Sequence, residues 1–410
     1  MNSFYARTAR AALFLVMLGG SGLASAAAFI QCPGDTNADA VPDVPVLDAN
    51  GNPRNIKCMH LSSGDGFVNM ADGKLQYIFS FSDLTGIPEA DSISAGILAA
   101  NFPAPTIALD EGQEFYLSLT NVGMAHRPDL FDPHTVHFHG FPNASSIFDG
   151  VPDATISINM GATLTYYYKI VDPGTYMYHC HVEATEHMQM GMLGNLYVHP
   201  AQDGTVLPDP DGSGRTHDKF VYNDGDGVTG YDIEVPIQLG SFDSEFHDAS
   251  MNVQPLPFQD MKARYAMLNG RGYPDTIRPS SHFADNPGAA QAENGGVNSQ
   301  PVTTLVEAAK GQKILLRLSN LNVTNYFTVT ALGLPMKVVG GGARQLRGPT
   351  GKDTAYETTS VTLGGGEAVE VIVDTKDVPT GTYFLYTTNL NYLSNGDQDF
   401  GGMMTEIRVN

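Results

Sequence analysis

Basic residues are scarce in this chain: 22 lysines and arginines stand against 44 acidic residues, a formal net charge of −22. That deficit argues against nucleic acid and anionic membranes as partners. It is compatible with attraction of metal cations or cationic redox partners, and equally with plain solubility outside the cytoplasm. Long apolar runs are missing too, and no stretch reaches the ~20 residues that a membrane-spanning helix needs. The short run Ala11 to Leu18 follows Arg7 and Arg10 and precedes the small residues Ala24-Ser25-Ala26. This is the pattern of an export signal over residues 1–26, bacterial in style, which predicts a periplasmic or secreted protein.

Cysteine is the third scarcity. Three residues, Cys32, Cys58 and Cys180, make an odd count in an oxidising compartment. Cys32 and Cys58 lie together in an N-terminal extension assigned to residues 27–65 and are expected to pair. Cys180 is left over, and an exported free thiol is a liability unless it is buried or bound to metal.

Long amphipathic helices are also lacking. Short alternating runs occur instead, such as Leu164-Thr-Tyr-Tyr-Tyr-Lys-Ile170 and Val369-Glu-Val-Ile-Val373, between Gly, Pro and Asp turns. The pattern predicts an all-β protein, a sandwich or barrel of antiparallel strands. A length of 410 residues suits two domains. Two segments repeat: Glu111 to Asn121 aligns with Lys310 to Asn320, and Gly174 to His181 aligns with Gly381 to Thr388. The chain is therefore read as a first domain over 66–200, a linker over 201–230 within an Asp/Gly-rich tract, and a second domain over 231–410. The repeat sets Tyr386, Thr387 and Thr388 opposite His179, Cys180 and His181, so only the first copy carries the metal-binding side chains.

Two polar tracts place oxygen side chains as a hard cation would want them. In the extension, Asp35, Asn37, Asp39 and Asp43 form a candidate calcium loop, with a merely polar loop as the alternative. It resembles the acidic loops of thrombospondin type 3 repeats, although Ala38 and Ala40 replace the glycines favoured there. The segment Asn223 to Gly227 is a weaker candidate.

Six of the 12 histidines fall in two tracts, His134-Thr-Val-His137-Phe-His139 and His179-Cys180-His181 running on to His187 and Met192. Side chains alternate faces along a strand, so His179 and His181 share one face and Cys180 points to the other. His137 and His139 likewise share a face, while His134, beside a proline, can turn the opposite way. Two sites follow. One collects His134, Cys180, His187 and Met192; soft sulfur with two nitrogens and a weak thioether suits copper in blue-copper geometry. Zinc also suits Cys and His, but structural zinc sites rarely use methionine. The other site collects His137, His139, His179 and His181, an all-imidazole set appropriate to coppers that meet oxygen. Glu183, Glu186 and Asp149 lie nearby as solvated carboxylates or proton relays.

At these tracts the chain resembles the multicopper oxidases, the group of laccases and ceruloplasmin, and the related two-domain copper nitrite reductases. The segments His137-Phe-His-Gly140, His179-Cys-His181 and His187 to Met192 carry the resemblance, with Pro103 to Ile107, Asp149 to Asp153, Asn269-Gly270 and Pro274 in support. It implies two tandem cupredoxin-like Greek-key β-sandwich domains. It also implies type 1 copper at His134, Cys180, His187 and Met192, a type 2 ligand in His137, and type 3 ligands in His139, His179 and His181. Nitrite reductases carry an aspartate where His137 stands and lack a histidine at the place of His181, so the chain follows the oxidases at both. It departs from them in a longer loop between His181 and His187, and in a second domain without histidines on the aligned strands. The resemblance implies one-electron oxidation of an organic or metal-ion donor coupled to oxygen reduction. Because one chain offers only one domain's share of cluster histidines, it also implies a homo-oligomer or a partner protein that completes the cluster. The alternative is a blue-copper electron-transfer or copper-holding protein, or a subunit of a larger redox assembly.

Overall fold

The computed structural model of the chain describes residues 28–141 and 144–410. The export signal read in residues 1–26 lies outside the described residues. No helix among those described is long and apolar enough to cross a membrane.

Eight strands build the first domain: β1 (Ile56–Asn69), β2 (Leu75–Asp83), β3 (Ala104–Asp110), β4 (Glu114–Gly123), β5 (His137–Phe138), β6 (Thr163–Lys169), β7 (Gly174–His179) and β8 (Leu193–His199). One sheet has the order β2-β1-β4-β6 and the facing sheet β3-β8-β7-β5. Two α-helices lie among these strands, α1 (Glu89–Gly96) and α2 (Ala184–Met190). Alternate residues of both sheets, among them Phe79, Phe115, Leu117, Tyr166, Tyr178 and Leu196, fill the space between them.

A short ladder of β9 (Leu207–Pro208) and β10 (Thr216–His217) follows. The second domain comprises β11 (Ile233–Phe242), β12 (Tyr265–Leu268), β13 (Val306–Ala308), β14 (Lys313–Asn320), β15 (Phe327–Ala331), β16 (Met336–Gly341), β17 (Arg344–Gln345), β18 (Tyr356–Thr358), β19 (Ser360–Leu363), β20 (Glu367–Asp374), β21 (Gly381–Thr387) and β22 (Met404–Val409). A helix, α3 (Ser244–Met251), caps the end of β11. The pairings repeat those of the first domain. β1 runs parallel to β4 as β11 runs parallel to β14, and β3 runs parallel to β8 as β13 runs parallel to β22. Each domain is thus a Greek-key β-sandwich, and the chain is an internal repeat of one fold.

A third apolar cluster joins the domains. Val68, Ile78, Phe102 and Met177 of the first meet Phe242, Tyr265, Leu321 and Ala368 of the second, with the rings of Phe102 and Phe242 4.4 Å apart. Buried polar contacts fix the register across this seam: Thr175 N donates to Glu370 Oε1 at 2.7 Å, and His247 Nδ1 on α3 donates to the Tyr77 carbonyl at 2.6 Å.

Three sequence expectations need correction or refinement. The extension ends at Asn55 rather than Asp65, because β1 pairs with both β2 and β4 and is buried along nearly its whole length. Its His60-Leu-Ser-Ser-Gly-Asp-Gly66 has no apolar alternation, which concealed it. Cys58 therefore sits on the first strand and, bonded to Cys32, pins the extension to the sheet. The stretch 201–230 is not a loose linker: Phe220 and Val221 are buried, and Arg215 bridges Asp211 to Asp374 of β20.

The candidate calcium carboxylates are committed to turns. Asp35 accepts from the amides of Asn37, Ala38 and Ala40, Asp39 from Val41 N and Asn37 Nδ2, and Asp43 from Thr36 N and Oγ1. Asx turns at Asp35 and Asp39 and a longer-range clasp between Thr36 and Asp43, with Ala38 and Ala40 at positive φ, account for the oxygen spacing without a cation. At the weaker candidate, Asp224 likewise accepts from Gly227 N and Thr229 N.

Candidate metal centre

Both histidine tracts meet at one end of the first domain. β5 pairs antiparallel with β7 so that His137 stands directly opposite His179, and His139 N extends the ladder by donating to the Met177 carbonyl at 3.0 Å. After β7 the chain passes Cys180 and His181 and enters α2. That helix ends at Gly191 with φ +119, whose amide donates to the carbonyls of His187 and Met188. Only glycine fits there, since a Cβ would stand 3.0 Å from the Phe79 carbonyl in a left-handed backbone. The reversal returns the chain to β8: Met192 N donates to His187 O at 2.9 Å, and Cys180 N donates to Met192 O at 3.1 Å. Two hydrogen bonds therefore set His187, Cys180 and Met192 side by side.

At the first site, His187 Nδ1 lies 3.2 Å from Cys180 Sγ and His134 Nδ1 lies 3.7 Å from it, while Thr135 N points at the sulfur from 3.5 Å. His134, Cys180, His187 and Met192 are all inaccessible to solvent. His134 is held in place by reciprocal main-chain hydrogen bonds with Ile158, at 3.0 and 2.9 Å. Burial pushes the His134 imidazole well below its ordinary pKa, and the neighbouring His187 adds to that. Burial also works to lower His187, but the Cys180 sulfur and the Asp132 carboxylate outweigh it and raise the group to about 10. A thiol and two imidazoles converging through Nδ1 in a dry pocket, with a buried methionine in the same cluster, form a donor set suited to copper.

The second cluster lies on the opposite face of the His-Cys-His segment. Ring centroids of His137 are 5.4 Å from His139, 5.3 Å from His179 and 5.1 Å from His181. His139 Nε2 and His179 Nε2 are 2.9 Å apart. Two Nδ1 atoms are spoken for by carbonyls: His137 donates to Asp149 O at 2.6 Å, and His179 donates to Cys180 O at 2.7 Å. Fixing Nδ1–H leaves Nε2 of His137 and His179 as lone-pair nitrogens, so His139 Nε2–H is the donor to His179 Nε2, and that proton is what a bound cation displaces. Burial, offset in part by the Cys180 carbonyl, lowers the His179 pKa to about 3; burial and His137 lower that of His139. Neutral imidazoles are the form that binds metal. His179 is buried, whereas His137, His139 and His181 are half-buried, so the cluster is open on one side.

Of the residues singled out for the two copper sites, six converge in two groups, the His181 ring lies beside His137, and Met192 is buried in the same core as Cys180. Among the described residues, ligand atoms of His134, Cys180 and His187 lie within 4.8 Å of one another, as do those of His137, His139 and His179. A third such group, Asp209, Asp211 and Asp374, surrounds Arg215 and is accounted for by it. Glu183 is exposed, Glu186 is half-buried with its pKa raised by burial, and Asp149 serves through its carbonyl. Residue-by-residue reading missed the main-chain carbonyls that hold the His137 and His179 rings. Gly150, at φ +81, allows the Asp149 turn to lie on the strand before His137, since a Cβ there would be 2.1 Å from Val136 O; the Asp149 to Asp153 turn was the visible signal.

Comparison with known proteins is consistent across sequence and structure. Residues 90–203 and residues 258–406 each match a family model described as multicopper oxidase. Multicopper oxidase MmcO of Mycobacterium tuberculosis is 39% identical over 80 residues, which cover 20% of this chain and 14% of that protein. Multicopper oxidase MCE of Talaromyces pinophilus is 30% identical over 120 residues, covering 29% of this chain and 18% of that protein. The matched stretch is thus under a fifth of either relative's length. Among solved structures, the blue copper oxidase of Nitrosomonas europaea superposes with a TM-score of 0.61 at 22% identity, covering 86% of each chain. The copper nitrite reductase of the same organism superposes with a TM-score of 0.55 at 15% identity, covering 87% of this chain and 94% of that one. These likenesses show the fold: two tandem cupredoxin-like sandwiches.

Proposed function

Because the chain belongs to the multicopper oxidase family, we propose that it is an exported copper-dependent oxidase that takes electrons singly from an organic or metal-ion donor and reduces oxygen with them. The observation that carries this reading is the convergence of His134 Nδ1, Cys180 Sγ and His187 Nδ1 in a buried pocket, with an all-imidazole cluster on the other face of the same segment. His134, Cys180, His187 and Met192 hold a type 1 copper; His137 as a type 2 ligand and His139, His179 and His181 as type 3 ligands hold the rest. Copper bound at the sulfur site supplies one-electron redox chemistry, and copper bound at the imidazoles supplies the reduction of oxygen.

The protein's own contribution is placement. Cys180 is joined by peptide bonds to His179 and His181, so the two sites are linked through a short covalent path. Phe79, edge-on to His187 with centroids 6.1 Å apart, keeps water from the sulfur site. The carbonyls of Asp149 and Cys180 hold His137 and His179 in the tautomer that leaves Nε2 free. The half-buried rings of His137, His139 and His181 leave a face on which a second copy or a partner protein completes the ligand set. The leader read in residues 1–26 and the Cys32–Cys58 disulfide favour the periplasm or the medium as the working compartment.

A second reading, a blue-copper electron carrier or copper-holding protein, is favoured by Tyr386, Thr387 and Thr388 at the aligned positions of the second domain. Copper per chain, the blue absorption band and oxygen uptake, measured on one preparation, separate the two. The oxidase reading expects more than one copper per chain, a blue band, and oxygen consumed with an aromatic or metal-ion donor. One copper with a blue band and no oxygen uptake selects the carrier, and a colourless zinc protein refutes both.

A further inference from the structure

The internal repeat breaks at one connection. Strands β1 and β2 pair antiparallel and are joined by the short turn over residues 70–74, whereas their counterparts β11 and β12, paired the same way, are joined by residues 243–264, which include α3. The helix has a well-made start, because the Asp243 side chain accepts from Glu245 N at 2.9 Å and from Phe246 N at 3.3 Å. Its buried face serves the other domain. Phe246 and His247 are wholly inaccessible, and Phe246 packs into the first domain's core together with Phe79, Cys180, Met190 and Met192.

Three segments of the first domain are held by α3, and each leads to the sulfur site. His247 Nδ1 donates to the Tyr77 carbonyl of β2 at 2.6 Å, two residues before Phe79, whose ring stands edge-on to His187. On its other edge, His247 Nε2 faces Gln189, with the carbonyl at 2.9 Å and the side-chain amide at 3.4 Å. Gln189 lies in α2, between His187 and Met192. The same two pieces are tied again beside the ring, where Ser80 Oγ of β2 donates to Gly191 O at 2.8 Å. The third segment is the connection that delivers His134: its Arg127 donates from Nη1 to the Ser250 carbonyl of α3 and holds Asp129 through Nε and Nη2. A partly exposed pair, Lys74 with Asp248 at 2.7 Å, adds little to this docking.

We propose that α3 of the second domain is the strut of the sulfur site: through His247 it fixes the spacing between β2 and α2, and so sets where His187 and Met192 stand relative to Cys180. His247 is a positioning residue, acting through the main chain of α2 rather than on the sulfur itself. The inference rests on the reading of Cys180 and its neighbours as a copper site, but its first test needs no metal. His247→Phe keeps a ring in the slot and removes both polar edges. In copper-free, full-length protein this variant is expected to exchange the amides of residues 180–192 about 10–100-fold faster than the wild type, with β15 and β21 unchanged. With copper bound, the maximum of the blue band and the copper hyperfine splitting are expected to shift, and copper at Cys180 to bind about 10–100-fold more weakly against a competing chelator. Lys74→Ala, which releases only the partly exposed pair on the same helix, is expected to match the wild type throughout. Should His247→Phe fail to fold, His247→Asn, which keeps a donor for the Tyr77 carbonyl, takes its place and is expected to show the same changes at smaller size. Wild-type exchange over residues 180–192 overturns the proposal, whatever the copper does. Faster exchange with band, splitting and affinity all unmoved overturns it too, because the ring is then structural support alone. A wild-type protein without a blue band overturns the copper reading, and this proposal with it.

Discussion

The two domains share a backbone down to single hydrogen bonds and differ in what occupies it. His137 stands opposite His179 across β5 and β7, and Thr330 stands opposite Tyr386 across β15 and β21. Cys180 N donates to Met192 O at 3.1 Å, and Thr387 N donates to Met403 O at the same distance. Counting back along the register sets Phe327 in the place of His134, and Phe327 is wholly buried in its domain's core. The second domain thus keeps the frame that holds Cys180 and its neighbours in the first, including a buried methionine, Met403, while filling it with apolar and hydroxyl side chains. The frame is a property of the fold; the chemistry is a handful of side-chain choices made upon it.

The largest effect that would sharpen this contrast is expected from Cys180→Ser, which should abolish the blue absorption band. Thr387 already shows that a hydroxyl is tolerated at this point of the fold, so circular dichroism should be unchanged. Thr387→Ala, made in parallel, should leave the band as it is. If Cys180→Ser keeps its colour, the functional asymmetry between the domains is wrong.

Next in size is Phe327→Ala, which removes a core ring and should cost about 3–5 kcal/mol in denaturant unfolding. Copper affinity at Cys180 should not move, because the two positions lie in separate cores. A loss of blue copper in this variant would break the picture of one working site and one filled one.

The smallest effect concerns the seam. His199 at the end of β8 lies between Asp110, 3.2 Å from Nδ1, and Glu234 of the second domain, 3.0 Å from Nε2. The Glu234 hydrogen bond raises the His199 pKa against the burial that lowers it. A raised histidine stabilises the folded state fully below its unfolded value near 6.5, and that contribution is lost as pH rises through the folded value. Unfolding free energy should therefore fall as pH rises across that window, and His199→Gln should flatten the dependence. An equally steep profile in the variant would assign it to other groups.

The architecture was legible in the sequence because alternation survives in strands such as β6 and β20, and because β4 and β14 still spell the same pattern. The two side-chain clusters were legible for a similar reason, since a period of two separates Cys180 from its histidine neighbours without knowledge of the fold. What escaped was long-range or chemically ambiguous. β1 is a central strand with Ser, Gly and Asp in its middle, and its burial comes from partners far along the chain. The carboxylates from Asp35 to Asp43 have the spacing of a cation loop, but amides of the same loop satisfy them equally well. Gly366 of the second domain packs so close to His139 of the first that a Cβ on it would lie 3.1 Å from the ring, and nothing local to either residue announces it.

The bond between Cys32 and Cys58 also bears on how the protein is made. Those residues are 26 positions apart, far closer along the chain than either is to Cys180, and the entropy of closing a loop favours the short one. Under the exported reading proposed above, the N-terminal pair is expected to close first when the emerging chain meets an oxidant. Cys180 would then be buried in the first sandwich with no other thiol of the chain left to capture it.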